Sequence, residues 1–206
     1  MVHGGATVRD GTSSGLAFPV RATREAAAKR RIGEVAAAGV GVDEVIGVDA
    51  GTTALEVALH LPENFAGTVI SHSIPVLAAM LTRPAVCTVG LGGDLLPLSG
   101  CLLSGAGVAL ASSLRLDHLF LGVSAVNAQG IYVHSTLELD MKRALMQAAD
   151  RVTLVCDRSK LGAAGAVWVS ELDGLFALIT NAGDIEVSLA AALDAAGVRM
   201  ILTRVS

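Results

Sequence analysis

The sequence predicts an α/β fold, a mostly parallel sheet with helices on both faces. Short runs rich in Val, Ile and Leu look like strands buried on both sides. These runs alternate with helix-like segments along nearly the whole chain, as βαβ units require. The residues just after successive strands are polar or Gly, as expected where ligands bind beyond the carboxyl ends of such a sheet. A length of 206 residues fits one domain with a small appendage, and 52% hydrophobic residues suffice for its core.

Residues 1–20 are rich in Gly, Ser and Thr and carry Pro19, so they read as an extended or mobile leader. Thr23 is placed to cap a helix over Glu25–Ala36. The Lys and Arg side chains of that helix are expected to face water, with DNA contact by Arg30 and Arg31 the lesser reading. Val45–Val48 then predicts a strand and Thr52–Leu61 a helix. Thr68–Ser71 (strand), Ile74–Leu81 (helix) and Val86–Leu91 (strand) follow, then a small-residue helix over Gly105–Leu114. His118–Gly122 and Val152–Cys156 read as strands flanking a helix over Glu138–Ala149. Ala166–Val169 reads as an edge strand, and strands at Phe176–Thr180 and Val198–Leu202 flank a helix over Glu186–Ala196. With no repeat and no internal linker, one domain is expected over residues 22–206, preceded by a linker over 1–21.

Composition excludes several classes. Aromatic residues are only 3%, which weakens any single-strand nucleic-acid reading, since such surfaces need stacking platforms. A net charge of −4 gives the chain no global attraction for DNA. Cys87, Cys101 and Cys156 stand alone in apolar surroundings and read as reduced core thiols of a cytoplasmic protein. The scattered histidines lack metal-ligand spacing, so no metal is expected. Gly or charge interrupts every candidate membrane span, and Met1–Ala6 lacks the blocks of a signal peptide.

The junction Asp49-Ala-Gly-Thr-Thr53 carries the most chemistry. A strand that stops there and turns into a helix presents free N–H groups and the positive end of a helix dipole to an anion. Gly51, Thr52 and Thr53 let a phosphate approach, while Asp49 suits a sugar hydroxyl or the loop's own N–H groups. Later strand ends supply Ser71, His72 and Ser73, then Gly92 and Gly93, then Gly122 and Ser124, then Asp157 and Lys160. A succession of such ends points to a shared crevice. Each residue also has an ordinary role. Thr52, Thr53 and Ser73 serve as helix caps, Gly92-Gly93 as a tight turn, and Lys160 as a surface lysine. Glu138 and Lys142 are candidate ligand residues whose ordinary role is an i,i+4 surface pair; His72 and His134 are candidate contacts that are otherwise structural or exposed, and Trp168 packs.

The order of these motifs is similar to the sensor domain of the DeoR family of bacterial transcription regulators. It runs Asp-Ala-Gly-Thr-Thr (49–53), Ser-His-Ser (71–73), Leu-Gly-Gly (91–93), Phe-Leu-Gly-Val-Ser-Ala (120–125), Glu-x-x-x-Lys (138–142) and Asp-Arg-Ser-Lys (157–160). Val2–Ala6 resembles the segment that follows the wing of that family's winged helix-turn-helix. The resemblance implies an effector-binding half whose DNA-binding domain is absent. It implies a fold of the ribose-5-phosphate isomerase type, a phosphorylated sugar as effector and no cofactor. Phosphate would sit at Gly51–Thr53, with Asp49, Ser73, Gly93, Ser124 and Lys160 lining the crevice. DNA would be bound only through the absent domain, in a cytoplasmic homo-oligomer that represses sugar-metabolism operons. His72, where the family commonly has Asn, and Tyr132-Val133-His134, where it has Thr-Thr-Pro, depart from the pattern near the site.

A sugar-phosphate isomerase is the alternative. It needs a base beside the sugar C1–C2 and a group that steadies the enediolate. The loop Leu91–Leu95 offers one carboxylate, Asp94, and no Lys-Gly-Gly segment occurs, so no catalytic residue is assigned. A dehydrogenase is weaker still, because no GxGxxG follows the first strand.

Overall fold

The computed structural model describes residues 16–181 and 183–204. Most of the expected leader, including Val2–Ala6, lies outside the described residues. Its described end is helical, which corrects the extended reading: α1 spans Phe18–Thr23, with Pro19 in its first turn. Proline's fixed φ and missing N–H suit that position. The next helix, α2, spans Ala26–Ala37. Thr23 does not cap it. The Thr23 hydroxyl instead donates to the Val20 carbonyl at 3.0 Å, closing α1. Glu25 holds the N-cap position in a left-handed conformation, φ 51° and ψ 33°.

The chain continues through β1 (Val45–Val48), α3 (Thr52–Leu59), β2 (Thr68–Ser71), α4 (Ile74–Met80) and β3 (Cys87–Gly90). A hairpin of β4 (Asp94–Leu96) and β5 (Cys101–Leu103) precedes α5 (Gly105–Ser113) and β6 (His118–Leu121). Then come β7 (Ala125–Asn127), β8 (Gly130–Val133), α6 (Leu139–Ala148) and β9 (Val152–Val155). The last elements are β10 (Val167–Ser170), β11 (Ala177–Thr180), α7 (Val187–Ala195) and β12 (Arg199–Leu202).

Seven strands form one sheet in the order β12-β11-β9-β6-β1-β2-β3, and every neighbouring pair is parallel. Strand order runs outward one way from β1 and the other way from β6, so it reverses between them. At such a switch point the flanking loops leave in opposite directions and open a crevice. The two faces carry separate cores. On β6, Leu119 and Leu121 join the core that contains Met141, Leu145 and Leu189, while Phe120 joins Ile32, Val48, Ala54 and Val57. The period of two along a strand forces that division. Gly33 lets α2 lie close on α3: a Cβ there would stand 2.5 Å from the Glu56 backbone carbon.

Two antiparallel pieces accompany the sheet, the β4–β5 hairpin and a three-stranded sheet in the order β10-β8-β7. The expected edge strand near 166–169 therefore belongs to this second sheet. No helix among the described residues is long and apolar enough to cross a membrane. Cys101 and Cys156 are buried as expected, but Cys87 is exposed on the outer strand β3.

Candidate functional site

The switch point is locked from beneath by a buried ion pair. Asp49 follows β1 and is wholly buried. Its Oδ2 accepts from Lys142 Nζ at 2.5 Å and from the Gly122 N–H at 3.0 Å. Lys142 Nζ also donates to the Gly122 carbonyl at 2.9 Å. The loops after β1 and β6 are thus held together by one lysine from α6. Burial alone would raise the Asp49 carboxyl, but the adjacent Lys142 ammonium and further polar neighbours outweigh it and hold it below the usual carboxylate range. His72 Nε2 lies 3.7 Å from the other Asp49 oxygen. Burial pushes His72 down to about 4; Asp49 opposes the shift and Lys142 adds to it. His72 is therefore neutral at pH 7, and Lys142 is what balances Asp49.

Above that lock, Gly51 is the N-cap of α3 and no side chain caps the helix. Thr52 and Thr53 occupy its first two positions and are buried. They do not act as caps. The first-turn amides and the helix dipole are directed at whatever lies in front of them. What lies there is a cavity of about 40 Å³. That is roughly the room of three waters by the same measure. Gly51, Thr52 and Thr53 line it together with Gly122 and Ser124 after β6, and Asp157 and Lys160 after β9. Arg21 of α1, Lys29 of α2 and His134 complete the wall. Three cationic side chains thus meet one carboxylate there.

Burial lowers the Lys29 ammonium from its ordinary value; Asp157 opposes this and the Lys160 and Arg21 charges add to it. Lys160 is lowered by burial too, with Asp157 and Cys156 opposing and Arg21 and Arg24 adding. His134 is pushed down to about 4 by burial and then by Arg21 and Lys160. The three shifts share a sign because burial disfavours the charged form of each group, and the neighbouring cations add to it. Asp157 is itself engaged, with Oδ1 accepting from the Ser159 N–H at 3.0 Å and from the Ser159 hydroxyl at 2.5 Å.

A second cavity of about 340 Å³ lies alongside and shares Arg21, Ser124 and His134. Leu96–Ser99 of the β4–β5 hairpin, Ser135, Leu137 and Glu138 form the rest of its wall, with Leu16. Together the two compartments offer a small cationic end and a larger end with hydroxyls, one carboxylate and apolar floor.

The structure gathers Gly51, Thr52, Thr53, Gly122, Ser124, Asp157 and Lys160 at the smaller cavity and Glu138 at the larger one. Asp49 and Lys142 lie beneath. Ser71, His72 and Ser73 are buried and line neither cavity. The Ser71 hydroxyl donates to the Val48 carbonyl at 2.6 Å and so pins β2 to β1, while Ser73 caps α4. Gly92 and Gly93 also line neither cavity. Gly93 has φ 146°, and a Cβ there would stand 2.3 Å from the Leu103 carbonyl carbon, so it serves the hairpin. Glu138 and Lys142 do not pair with each other: Glu138 ends a 3-10 turn and accepts from Ser99 at 3.2 Å, whereas Lys142 turns inward to Asp49. Asp94 is exposed on β4 and lines neither cavity. Trp168 is 44% exposed and donates to the Gln129 carbonyl. No group of three His, Cys, Asp or Glu among the described residues could hold a metal ion.

Sequence reasoning missed Arg21 and Lys29. Lys29 had a legible signal, since it stands at i to Ile32, Gly33 and Ala36 on the apolar stripe of α2. Arg21 had none, because a six-residue helix with a proline leaves no periodicity to read.

A family model described as the DeoR C terminal sensor domain matches residues 24–182. The chain is similar to the HTH-type transcriptional regulator GlpR of Haloferax volcanii, 27% identical over 97% of this chain and 78% of the relative. It is similar to the glycerol-3-phosphate regulon repressor of Escherichia coli, 26% identical over 87% of this chain and 71% of the relative. It is also similar to the L-fucose operon activator of Escherichia coli, 25% identical over 89% and 76%. Among solved structures it is similar to ribose 5-phosphate isomerase A from Neisseria gonorrhoeae, with TM-score 0.46 and 20% identity over 64% of this chain and 52% of that one. The enzyme of Methanocaldococcus jannaschii gives TM-score 0.48 and 17% identity over 68% and 55%. Both scores are below 0.5 and bear on no functional point.

Proposed function

We propose that this chain, which belongs to the DeoR C-terminal sensor domain family, binds a phosphorylated sugar at the β1–β6 switch point. The observation that carries this reading is the small cavity where the uncapped start of α3 meets Arg21, Lys29 and Lys160 against one carboxylate. A phosphate monoester carries close to two negative charges at pH 7 and three strong acceptors. It matches the charge of that wall and the amides of the helix end. The sugar carbons and hydroxyls then extend past Ser124 and His134 to Ser99, Ser135 and Glu138.

Occupancy of the crevice controls transcription of sugar-metabolism genes, as the names of the relatives suggest. The sensor unit is taken as residues 22–206 of a cytoplasmic homo-oligomer. A DNA-binding element preceding it is released from its operator when the sugar phosphate binds. Ligand can bias that element only through different affinity for two states of the sensor. Paired DNA-binding heads suit palindromic sites. Asp94, the carboxylate offered for the isomerase alternative, is exposed and outside both cavities, which favours the sensor reading.

Thermal unfolding against a panel of phosphorylated sugars tests the reading. A true effector stabilises by about 2.7 kcal/mol at roughly a hundred times its Kd. Thr52→Ala weakens the response while the protein stays folded. A panel that leaves the melting temperature unchanged, or turnover of a panel member at ordinary enzyme rates, ends the proposal.

A further inference from the structure

We infer that Arg21 and Lys29 are direct ligands of the anionic group, and that α1 is consequently the element whose position reports occupancy. The inference rests on the anion-binding reading above and adds two residues and a route out of the site.

Lys29 sits on the apolar stripe of α2 and is 5% exposed. A lysine that served only packing there would be replaceable by an aliphatic residue, without the cost of desolvating an ammonium. Its Nζ donates to the Arg21 carbonyl at 2.5 Å, which ties the last turn of α1 to α2. The carboxylate that acts on it most strongly, Asp157, also acts on Lys160 and already accepts twice from Ser159. The ammonium thus lines the cavity without a carboxylate of its own.

Arg21 lies on the wall of both compartments. A ligand with its anion in the smaller and its body in the larger passes beside that guanidinium, whose planar fork suits phosphate oxygens. The helix that carries Arg21 packs against α3 and is tied at two further points among the described residues. The Phe18 N–H donates to the Leu98 carbonyl at 2.8 Å, and the Phe18 ring covers Gly100, so α1 is docked on the β4–β5 hairpin. The second point is Lys29 itself.

Between Arg21 and Lys29 the chain makes its sharpest local departure. Glu25, φ 51°, is the one non-glycine residue with positive φ among the described residues. Such a conformation is strained and persists where surrounding contacts over-determine it. Here those contacts hold Arg21 of α1 on the wall of both cavities. An anion bound by both cations adds a further tether across that bend. Its departure leaves Arg21 and Lys29 repelling each other, so occupancy changes how tightly α1 is held.

Inorganic phosphate, compared with potassium chloride at equal ionic strength, is the probe. Thermal unfolding reads binding, and backbone hydrogen exchange over residues 16–25 reads α1. In the unmodified protein phosphate raises the melting temperature and slows that exchange. Arg21→Met and Lys29→Met each weaken the apparent affinity roughly thirtyfold and abolish the exchange response. Arg30→Met, on the exposed side of α2, keeps both. Should Lys29→Met fail to fold, Arg21→Met on the half-buried α1 carries the same test alone. Retention of the phosphate response in the Arg21 and Lys29 variants, with its loss in Thr52→Ala, overturns this inference and leaves the anion site standing. Phosphate binding with no change in exchange over residues 16–25 removes the reporting role of α1. Indifference of the unmodified protein to phosphate and to every phosphorylated sugar brings down both readings.

Discussion

Asp49 and Asp157 end the two strands that flank β6, and the protein treats them in opposite ways. Asp49 is sealed and matched one to one by Lys142, with the Gly122 N–H on the same oxygen. Asp157 is nearly as buried but opens on a cavity whose cations outnumber it. A matched buried pair is architecture: it has no charge left for a ligand and fixes the two loops it joins. A surplus of cations over one engaged carboxylate is the complement of an anion. Sealed neutrality below and unbalanced charge above make a rigid seat with a charged face.

The largest expected effect comes from breaking the sealed pair. Lys142→Met leaves Asp49 buried and unmatched, and unfolding in urea should show a loss of about 3–5 kcal/mol. Combining it with Asp49→Asn should restore most of that loss, because no charge then remains uncompensated. A single variant costing less than about 1 kcal/mol would mean the pair is not the clamp that joins β1 to β6.

What the sequence disclosed follows the same division. The seven parallel strands and most of their helices were legible because short apolar runs alternate with helix-length segments along the chain. The strand–helix junction at Gly51–Thr53 was legible because its residue types have a backbone reason to be there. The β4–β5 hairpin was not, nor were β7 and β8, although β10 reads as an edge strand. Pro97 and Gly100 disguise the first hairpin as loop, and the strands of these small sheets lack the regular alternation with helices that marks the parallel sheet. Lys142, expected among the ligand residues with a surface pair to Glu138 as its ordinary role, turns inward to Asp49; i,i+4 spacing says nothing about a partner 93 residues away. Ser71–Ser73 and Gly92-Gly93 looked like site residues because capping, turning and ligand binding draw on the same residue types. What sets them apart here is that they line neither cavity.

Acid should expose the next difference. His72 and His134 are both pushed down to about 4, as is His118. A histidine whose folded value lies below its unfolded value of about 6.5 is protonated more readily in the unfolded chain. Stability should therefore be flat above pH 6.5 and fall as pH drops toward 4, with Asp49 adding a further loss below that as its depressed carboxyl is finally protonated. Urea midpoints across this range give the slope. His72→Gln should reduce it by one proton with or without phosphate. The share due to His134, which faces the cationic wall, should shrink when phosphate is bound. Equal effects of phosphate on both histidines would erase the distinction between lock and cavity.

Smaller again is the effect of removing the lone carboxylate from the cavity wall. Asp157→Asn keeps an oxygen for Ser159 while taking away one negative charge, so phosphate should bind several-fold tighter by calorimetry. The same change at Asp49, where Lys142 would be left unmatched instead, should loosen the fold rather than tighten binding. If Asp157→Asn weakens phosphate binding, that carboxylate is a ligand to the bound molecule and the charge argument for the wall is wrong.

The smallest effect belongs to the outer face of α2. Arg31 pairs with Glu34 at 2.9 Å, two residues from Lys29 but on the solvent side. Arg31→Ala should leave urea midpoints and phosphate affinity within error, since an exposed pair contributes little and water and salt screen its field. Lys29 and Arg31 thus offer nearly the same position in sequence and the same formal charge, differing only in the direction they face. If Arg31→Ala weakens phosphate as much as Lys29→Met does, the response reflects general positive potential around the helix. In that case the surplus of charge in the cavity would not be what recognises the anion.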